Sequence, residues 1–294
     1  MLITKISNGL EILSPAKINL YLEVLGRRKD GFHEIESVMQ TVSLFDTLHL
    51  FPLKSGIKVL TDHPELSGGR SNLVYRAADL IKKEYGVRKG VRIVLQKRIP
   101  IGGGLGGGSS NAAAVLLGLN RLWNLELSSE EMSILGAGLG SDVPFFIYGG
   151  TALVKGRGEI VLPLPVSAKF HYLLLKPPIA IPTKNIYKNI KFYLTKPHPD
   201  GILPLINKLL QKQAGYKKVQ ELLHNRLKDV AMKQYPVLRD TYQSFRKISA
   251  QKILLSGSGS TIFKLCSCRK EAENLAIILG RRNLGQSFIV NNII

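Results

Sequence analysis

The chain has 294 residues and is 45% hydrophobic, enough to bury a core in two domains of ordinary size. No apolar run reaches the length that spans a bilayer, and the first ten residues lack the layout of a secretion signal, so a cytoplasmic protein is expected. The net charge of +20 (41 basic, 21 acidic residues) raises a nucleic-acid or acidic-ligand partner, but the basic residues are scattered and never interleave with aromatics, so a solvated basic surface that attracts polyphosphates is expected instead.

In chain order, residues 2–25 read as two strands turned at Asn8-Gly9. In the second, Ile18, Leu20, Leu22 and Val24 alternate with Lys17, Asn19, Tyr21 and Glu23, which puts Lys17 and Asn19 on one face. Taken alone, that face reads as solvent-exposed. A polar loop, 26–33, carries Phe32 and His33 at its exit. Residues 36–45 read as a strand and 47–60 as another strand region. Ser71-Asn72 caps a helix over 73–85, closed by Gly86.

A half-buried strand follows, with Val91, Ile93 and Leu95 alternating with Arg92 and Gln96. Then comes Pro100-Ile101-Gly102-Gly103-Gly104-Leu105-Gly106-Gly107-Gly108-Ser109-Ser110, and after it an apolar helix from Asn111 to Trp123. A run so rich in glycine brings no side chains to a core, and Ser109, Ser110 and Asn111 read as its helix cap or first turn. Strand, glycine loop and helix start together aim N–H groups at one point, which suits a phosphate. The P-loop pattern fails, because Gly108 is followed by Ser109 rather than Lys. The dinucleotide pattern is met by Gly102, Gly104 and Gly107, but its acidic partner is lacking: Glu126 has the spacing and lies in a polar loop.

Ser128 to Glu131 forms a capping box that opens a helix to about residue 139. Asp142, between glycines and an apolar run, is either a cap or a carboxylate held at a cleft wall. Residues 151–164 are strand material with a Gly156-Arg157-Gly158 turn, and Pro163 and Pro165 mark a joint between domains at 1–163 and 164–294. A strand at 172–175 leads to a loop over 177–187. Helices follow near 203–213, 217–233 and 236–249. Strands at 253–255 and 261–265 flank the loop Ser256-Gly257-Ser258-Gly259-Ser260. A helix at 269–281 and a strand near 287–291 close the chain. Cys266 and Cys268 are too close in sequence for a good disulfide, complete no zinc site, and read as strand cysteines. No G-x-S-x-G elbow of a serine hydrolase occurs.

Three separated stretches, Pro15-Ala-Lys-Ile-Asn-Leu20, Pro100 to Ser110 and Leu255 to Ser260, resemble the three motifs of the GHMP small-molecule kinases. The resemblance runs from about residue 10 to 265 and is loosest over 188–250. It implies an α+β, two-domain GHMP kinase fold: an N-terminal domain like the second domain of ribosomal protein S5, and a ferredoxin-like C-terminal domain. Arg28 to His33 and Gly140 to Pro144 look most like the family members that phosphorylate a cytidine diphosphate-linked methylerythritol at its 2-hydroxyl, in the non-mevalonate route to isoprenoids. Homoserine- and mevalonate-type kinases of the family are the alternative, and a basic nucleic-acid-binding protein is a more distant one, with no use for the glycine loop.

Carried over by residue, Asp142 matches the family's catalytic acidic residue, whose carboxylate accepts or orients the hydroxyl proton, and Lys17 the catalytic lysine, which offsets charge on the transferring phosphoryl group. Residues Pro100 to Ser110 would bind ATP, and Ser256, Gly257, Ser258 and Gly259 would close on the phosphate side. Phe32 and Tyr187 resemble the stacking aromatics, His33 the cytosine-reading histidine, and Asn19 and Thr183 the substrate-contacting polar residues. Phe32 stands where a tyrosine is common in the family, so a hydroxyl hydrogen bond is lost while stacking is kept. Mg2+ would be held mainly by ATP phosphates and water, with Ser109 or Ser110 as the nearest protein hydroxyls. No membrane and no nucleic acid are expected as partners, and the expected state is a monomer or weak homodimer.

Overall fold

The computed structural model describes residues 1–190, 201–212 and 215–294. Asn8-Gly9 turns β1 (Leu2–Ile6) into β2 (Gly9–Arg27), as the pair predicts. The long β3 (His33–Leu53) returns antiparallel to β2. The segments expected as two strands at 36–45 and 47–60 are therefore mostly one: Asp46 between them, a turn-prone type, is instead buried within the strand and holds the backbone at Arg98 and Ile99. Only β4 (Ile57–Thr61) is separate.

The other edge of β3 is shared. Its second half pairs with β5 (Gly90–Gln96), and its first half with β6 (Thr151–Gly156), which carries β7 (Ile160–Leu164). Strands this long do not stay flat, and the β2–β3 register shifts at Pro15/Ala16, Asn19/Tyr21 and Val24/Gly26. The shift around Leu20 breaks the expected strict alternation: Tyr21 joins Ile18 and Leu20 in one apolar cluster. Lys17, Asn19 and Glu23 are buried, so their face is not solvent-exposed.

Two helices cover this sheet. The first, α1 (Leu73–Glu84), starts at Asn72, whose side chain accepts from the Val74 N–H. The second, α2 (Gly107–Trp123), buries Ala112 to Leu116 and Leu119 against Ile12, Leu48, Leu50 and Ile93. Then come α3 (Ser129–Ala137), opened by the expected capping box, and α4 (Val143–Tyr148).

A second sheet, entirely antiparallel, has the order β10 (Leu254–Leu255), β11 (Ile262–Cys266), β8 (His171–Lys176), β12 (Gln286–Asn291). Its strands are apolar on both faces for a reason. Tyr172, Leu174, Phe263 and Leu265 pack towards Ile18, Leu20, Val38 and Val42 of the first sheet. Leu173, Leu175 and Ile262 pack under Leu238 and Phe245 of α9 (Pro236–Ser249) and Ala272, Leu275 and Leu279 of α10 (Arg269–Arg281).

The region 177–250 departs furthest from expectation. The supposed loop contains α5 (Thr183–Lys188). The helix expected at 203–213 is α6 (Leu203–Leu209), with Gln213 outside the described residues. The helix expected at 217–233 is two, α7 (Tyr216–Leu222) and α8 (Lys228–Gln234), separated by β9 (His224–Asn225). That two-residue strand pairs in parallel with Tyr21 and Leu22 of β2, a partner far away in sequence. Of the cysteines, Cys266 lies in β11 and burial pushes its thiol up to about 12, whereas Cys268 lies beyond the strand, exposed, at the start of α10. The strand expected to hold both ends where α10 begins.

Candidate active site

The glycine run connects β5 to α2, but α2 starts at Gly107 rather than Asn111. Gly107 and Gly108 are thus in the first helical turn, Ser109 and Ser110 lie within it, and the N-cap position is Gly106. The run is a loop only as far as Gly106. Close approach explains the composition. A Cβ on Gly106 (φ 71°) would lie 2.9 Å from the Phe146 ring and 3.0 Å from Lys17 Cγ, and one on Gly104 (φ 72°) would strike the Ser256 carbonyl.

Successive loop carbonyls are held by three different elements. Gly102 O accepts from Ile181 N (3.2 Å), Gly103 O from Thr261 N (3.1 Å), Gly104 O from Ser256 Oγ (2.9 Å) and Leu105 O from Lys17 N (2.9 Å). Beneath it, buried Asp46 accepts from Arg98 N (2.6 Å), Ile99 N (2.8 Å), Asn111 Nδ2 (3.0 Å) and Lys97 Nζ (2.7 Å). Burial lowers the Lys97 ammonium against the opposing pull of Asp46. The backbone here is braced before any ligand arrives. The first N–H groups of α2 have no acceptor within the helix and, with the dipole, form an anion site.

Lys17 reaches the same point from β2. Its Nζ donates to Asn19 Oδ1 (2.7 Å) and lies 3.6 Å from Asp142 Oδ2. Asn19 is fixed in turn, its Nδ2 donating to Ser37 Oγ at 2.9 Å, and the Ser37 hydroxyl donating to Tyr21 O at 2.5 Å. Asp142 occupies the N-cap position of α4 but its side chain makes no capping bond. Of the two readings of this carboxylate, the structure therefore takes the cleft wall. The Lys17 side chain is 5% exposed and that of Asp142 30%, so the carboxylate faces the cavity and the ammonium backs it.

The cavity measures about 1590 Å³. A pocket for one drug-sized ligand holds roughly 300–1,000 Å³, so this one has room for two substrates side by side. Lys17, Asn19, Phe32, His33, residues 100–109, Asp142, Thr183, Tyr187, Gly257 and Ser258 all line it. Ser110 does not: its hydroxyl is buried and shares a 2.6 Å hydrogen bond with Ser14. Ser256 and Gly259 also stay behind the wall, where Ser256 Oγ bonds the glycine loop and Gly259 N donates to Ser256 O at 2.9 Å.

At the far end the His33 and Tyr187 rings lie 5.3 Å apart, and Phe32 is 46% exposed. Thr183 and Tyr187 are one turn apart on α5, and Thr183 Oγ1 is 2.9 Å from Ser258 Oγ. Burial and then the neighbouring Arg27 lower the His33 imidazole, which favours its neutral form. Burial and then the charge of Asp142 raise the Tyr187 hydroxyl, which stays protonated.

Sequence reasoning missed several lining residues. Arg157, read only as part of a turn, lies over the Phe32 ring, 4.9 Å from its centroid. Arg27, Lys97, Lys184 and Lys188 also line the cavity, as do Leu66, Ser67 and Asn72 ahead of α1. Among the described residues the lining holds six cations (Lys17, Arg27, Lys97, Arg157, Lys184, Lys188) against three carboxylates (Asp30, Glu65, Asp142), a field that favours a polyanion. The only available signal was the diffuse excess of Lys and Arg, which names no position. Among the described residues no group of three His, Cys, Asp or Glu could hold a metal ion.

Comparison with known proteins agrees with this geometry. The GHMP kinases N terminal domain matches residues 72–150. The chain is 42% identical over 258 residues to a 4-diphosphocytidyl-2-C-methyl-D-erythritol kinase of Geobacillus kaustophilus (strain HTA426), covering 87% of this chain and 88% of that protein. Among solved structures, a 4-(cytidine 5'-diphospho)-2C-methyl-D-erythritol kinase superposes with a TM-score of 0.80 at 35% identity, over 96% of this chain and 98% of that one. A homoserine kinase from Cytophaga hutchinsonii superposes with a TM-score of 0.75 over 100% of this chain and 97% of that one, but at 18% identity it shares the fold alone.

Proposed function

Because the chain belongs to the 4-diphosphocytidyl-2-C-methyl-D-erythritol kinases, within the GHMP kinases, we propose that it transfers the γ-phosphate of ATP to the 2-hydroxyl of 4-diphosphocytidyl-2-C-methyl-D-erythritol. The observation that carries the reading is the Lys17–Asp142 pair, 3.6 Å apart, at the junction of the glycine loop and the aromatic end of one cavity.

The roles follow from the atoms. The Asp142 carboxylate accepts or orients the proton of the attacking hydroxyl. The Lys17 ammonium, held by Asn19, offsets charge that develops on the transferring phosphoryl group. The start of α2 and the glycine loop hold the ATP phosphates by N–H groups, since phosphoryl transfer depends mostly on positioning and charge neutralisation. Phe32 and Tyr187 flank the pyrimidine, His33 reads its edge, and Asn19 and Thr183 hold the sugar and diphosphate. A bound Mg2+ would supply charge neutralisation on the phosphates. The donors here suit an ion held mainly by phosphates and water, and the protein oxygens that would complete its shell are those of Ser109 and Asp142, both lining the cavity.

The same reading takes the chain as two units, 1–163 and 164–294, since the second sheet begins after β7 ends at Leu164. It carries with it a cytoplasmic location and a monomeric or weakly dimeric state. No helix among the described residues is long and apolar enough to cross a membrane. The test is ADP release by purified protein with the cytidylyl substrate, homoserine or mevalonate as acceptor. Turnover with the first alone is expected. Turnover with either of the others, and not with the first, refutes the assignment of the aromatic end.

A further inference from the structure

The two-residue strand β9 serves no purpose in the mechanism above, yet it is inserted beside β2 four residues after Lys17. Asn225, 6% exposed, uses both amide protons and its carbonyl oxygen there. Its Nδ2 donates to Leu255 O and to Gly257 O, both at 2.8 Å, and its Oδ1 accepts from Leu227 N at 2.8 Å. The two carbonyls are on either side of Ser256, whose hydroxyl holds Gly104 O of the ATP loop. Gly257 itself packs against the catalytic pair's cation: a Cβ built there would sit 3.3 Å from Lys17 Nζ and 3.3 Å from Asn19 Oδ1. Asn225 thus ties β2, through the backbone pairing of β9, to the Ser256–Ser260 loop by its side-chain amide and, through Ser256, to the glycine loop.

We propose that Asn225 is a positioning residue for phosphoryl transfer: its amide clamps the Ser256–Ser260 loop against Lys17 and the glycine loop, and it acts through them without touching either substrate. The loop contains Gly257 (φ 56°) and Gly259 (φ 85°), so its backbone has little stiffness of its own, and an external clamp is what fixes it. The neighbouring ion pair Glu23–Arg226 (3.2 Å), with His224 Nε2 3.2 Å from the same carboxylate, anchors β9 on β2 and so holds the clamp in place.

This inference rests on the proposed kinase reaction, and its test separates the two. Asn225→Ser keeps a hydroxyl that can accept from Leu227 N but cannot reach both carbonyls; Asn225→Asp keeps the shape and replaces the two donors by acceptors. Each is compared with the wild type by thermal melting, by steady-state kinetics with ATP and the cytidylyl substrate, and by amide hydrogen exchange over residues 255–261. The clamp expects Asn225→Ser to melt cooperatively, to exchange faster over 255–261, and to lose roughly ten- to hundred-fold in kcat, the scale of a small misplacement of reacting groups, with the KM for the cytidylyl substrate changed less than about three-fold. Asn225→Asp should be at least as impaired. A folded variant with kcat within about two-fold of wild type and unchanged exchange over 255–261 overturns the proposal. So does failure of both variants to fold, which would make Asn225 a residue of the core. A wild-type protein inactive on the cytidylyl substrate refutes the kinase reading instead, and the exchange measurement still decides the clamp.

Discussion

Replacing Lys17 by methionine removes the ammonium and keeps an unbranched apolar stem out to the Cε position. At 3.6 Å from Asp142 Oδ2, its attraction for that carboxylate is about 5 kcal/mol at an effective dielectric of about 20 and about 1 kcal/mol in bulk water. With Asp142 30% exposed to the cavity, the effective value lies between these limits. Only the part that strengthens as charge develops in the transition state lowers the barrier. Loss of one preorganised partner of this kind costs about 2.7–4 kcal/mol, or roughly 100- to 1,000-fold in kcat. The fold should tolerate the change. The methionine fills the channel between Gly106 and Phe146, and the main loss is the donor to Asn19 Oδ1, about 1–3 kcal/mol. The assay is ADP release at saturating ATP and cytidylyl substrate, with a melting curve on the same preparation. A folded Lys17→Met enzyme with kcat within about three-fold of wild type would refute the role, because no barrier change above about 0.7 kcal/mol could then be assigned to the ammonium.

Asp142→Asn should lower kcat by roughly 100-fold or more; its carboxylate makes no capping bond, so a fall in melting temperature would come from the lost attraction to the buried Lys17 ammonium and not from α4, and full activity would remove Asp142 from the chemistry. Gly106→Ala places a Cβ against Phe146 in a left-handed conformation, so a melting temperature lowered by about 2–4 °C for each kcal/mol and an ATP KM raised about ten-fold or more are expected, and an unaltered ATP KM counts against a tightly fitted loop. Phe32→Ala should raise the KM for the cytidylyl substrate roughly 5- to 150-fold, the range of one base-stacking contact, with the ATP KM as the internal control that should not move. For His33, the folded pKa lies below the ordinary value of about 6.5, so between the two the unfolded chain holds a proton the folded chain does not, and stability falls as pH drops through that window. Melting temperature against pH in the wild type and in His33→Gln should show this acid-side loss only in the wild type, and identical slopes would contradict it.

The local features of this fold were legible in the chain because local chemistry causes them. Asn8-Gly9 turns a hairpin, Asn72 and Ser128 cap helices through their own side chains, and residues 269–281 alternate with helical period, so the sequence reading and the structure agree there. The glycine loop was legible for the same reason, since flexible backbone is visible without coordinates, whereas Asp142 read locally as either a cap or a cleft-wall carboxylate and took a site role only from the resemblance to the family. What tertiary structure alone decided is what depends on distant partners. Whether Lys17 and Asn19 faced solvent or a site was settled by the glycine loop, the Ser256–Ser260 loop and Asp142, which close over them from distant parts of the chain. The break of 217–233 into α7, β9 and α8 was settled by the open hydrogen-bonding edge of β2 at Tyr21 and Leu22, which captures two residues that helix propensity would otherwise keep. Asp46 beneath the glycine loop and Arg157 above Phe32 belong to the site only because β3 and the β6–β7 turn pass there. Residue type and spacing specify which groups can do phosphoryl chemistry, but bringing them within 4 Å of each other is the work of long-range packing, whose hydrophobic driving force has no direction and leaves no local mark in the sequence.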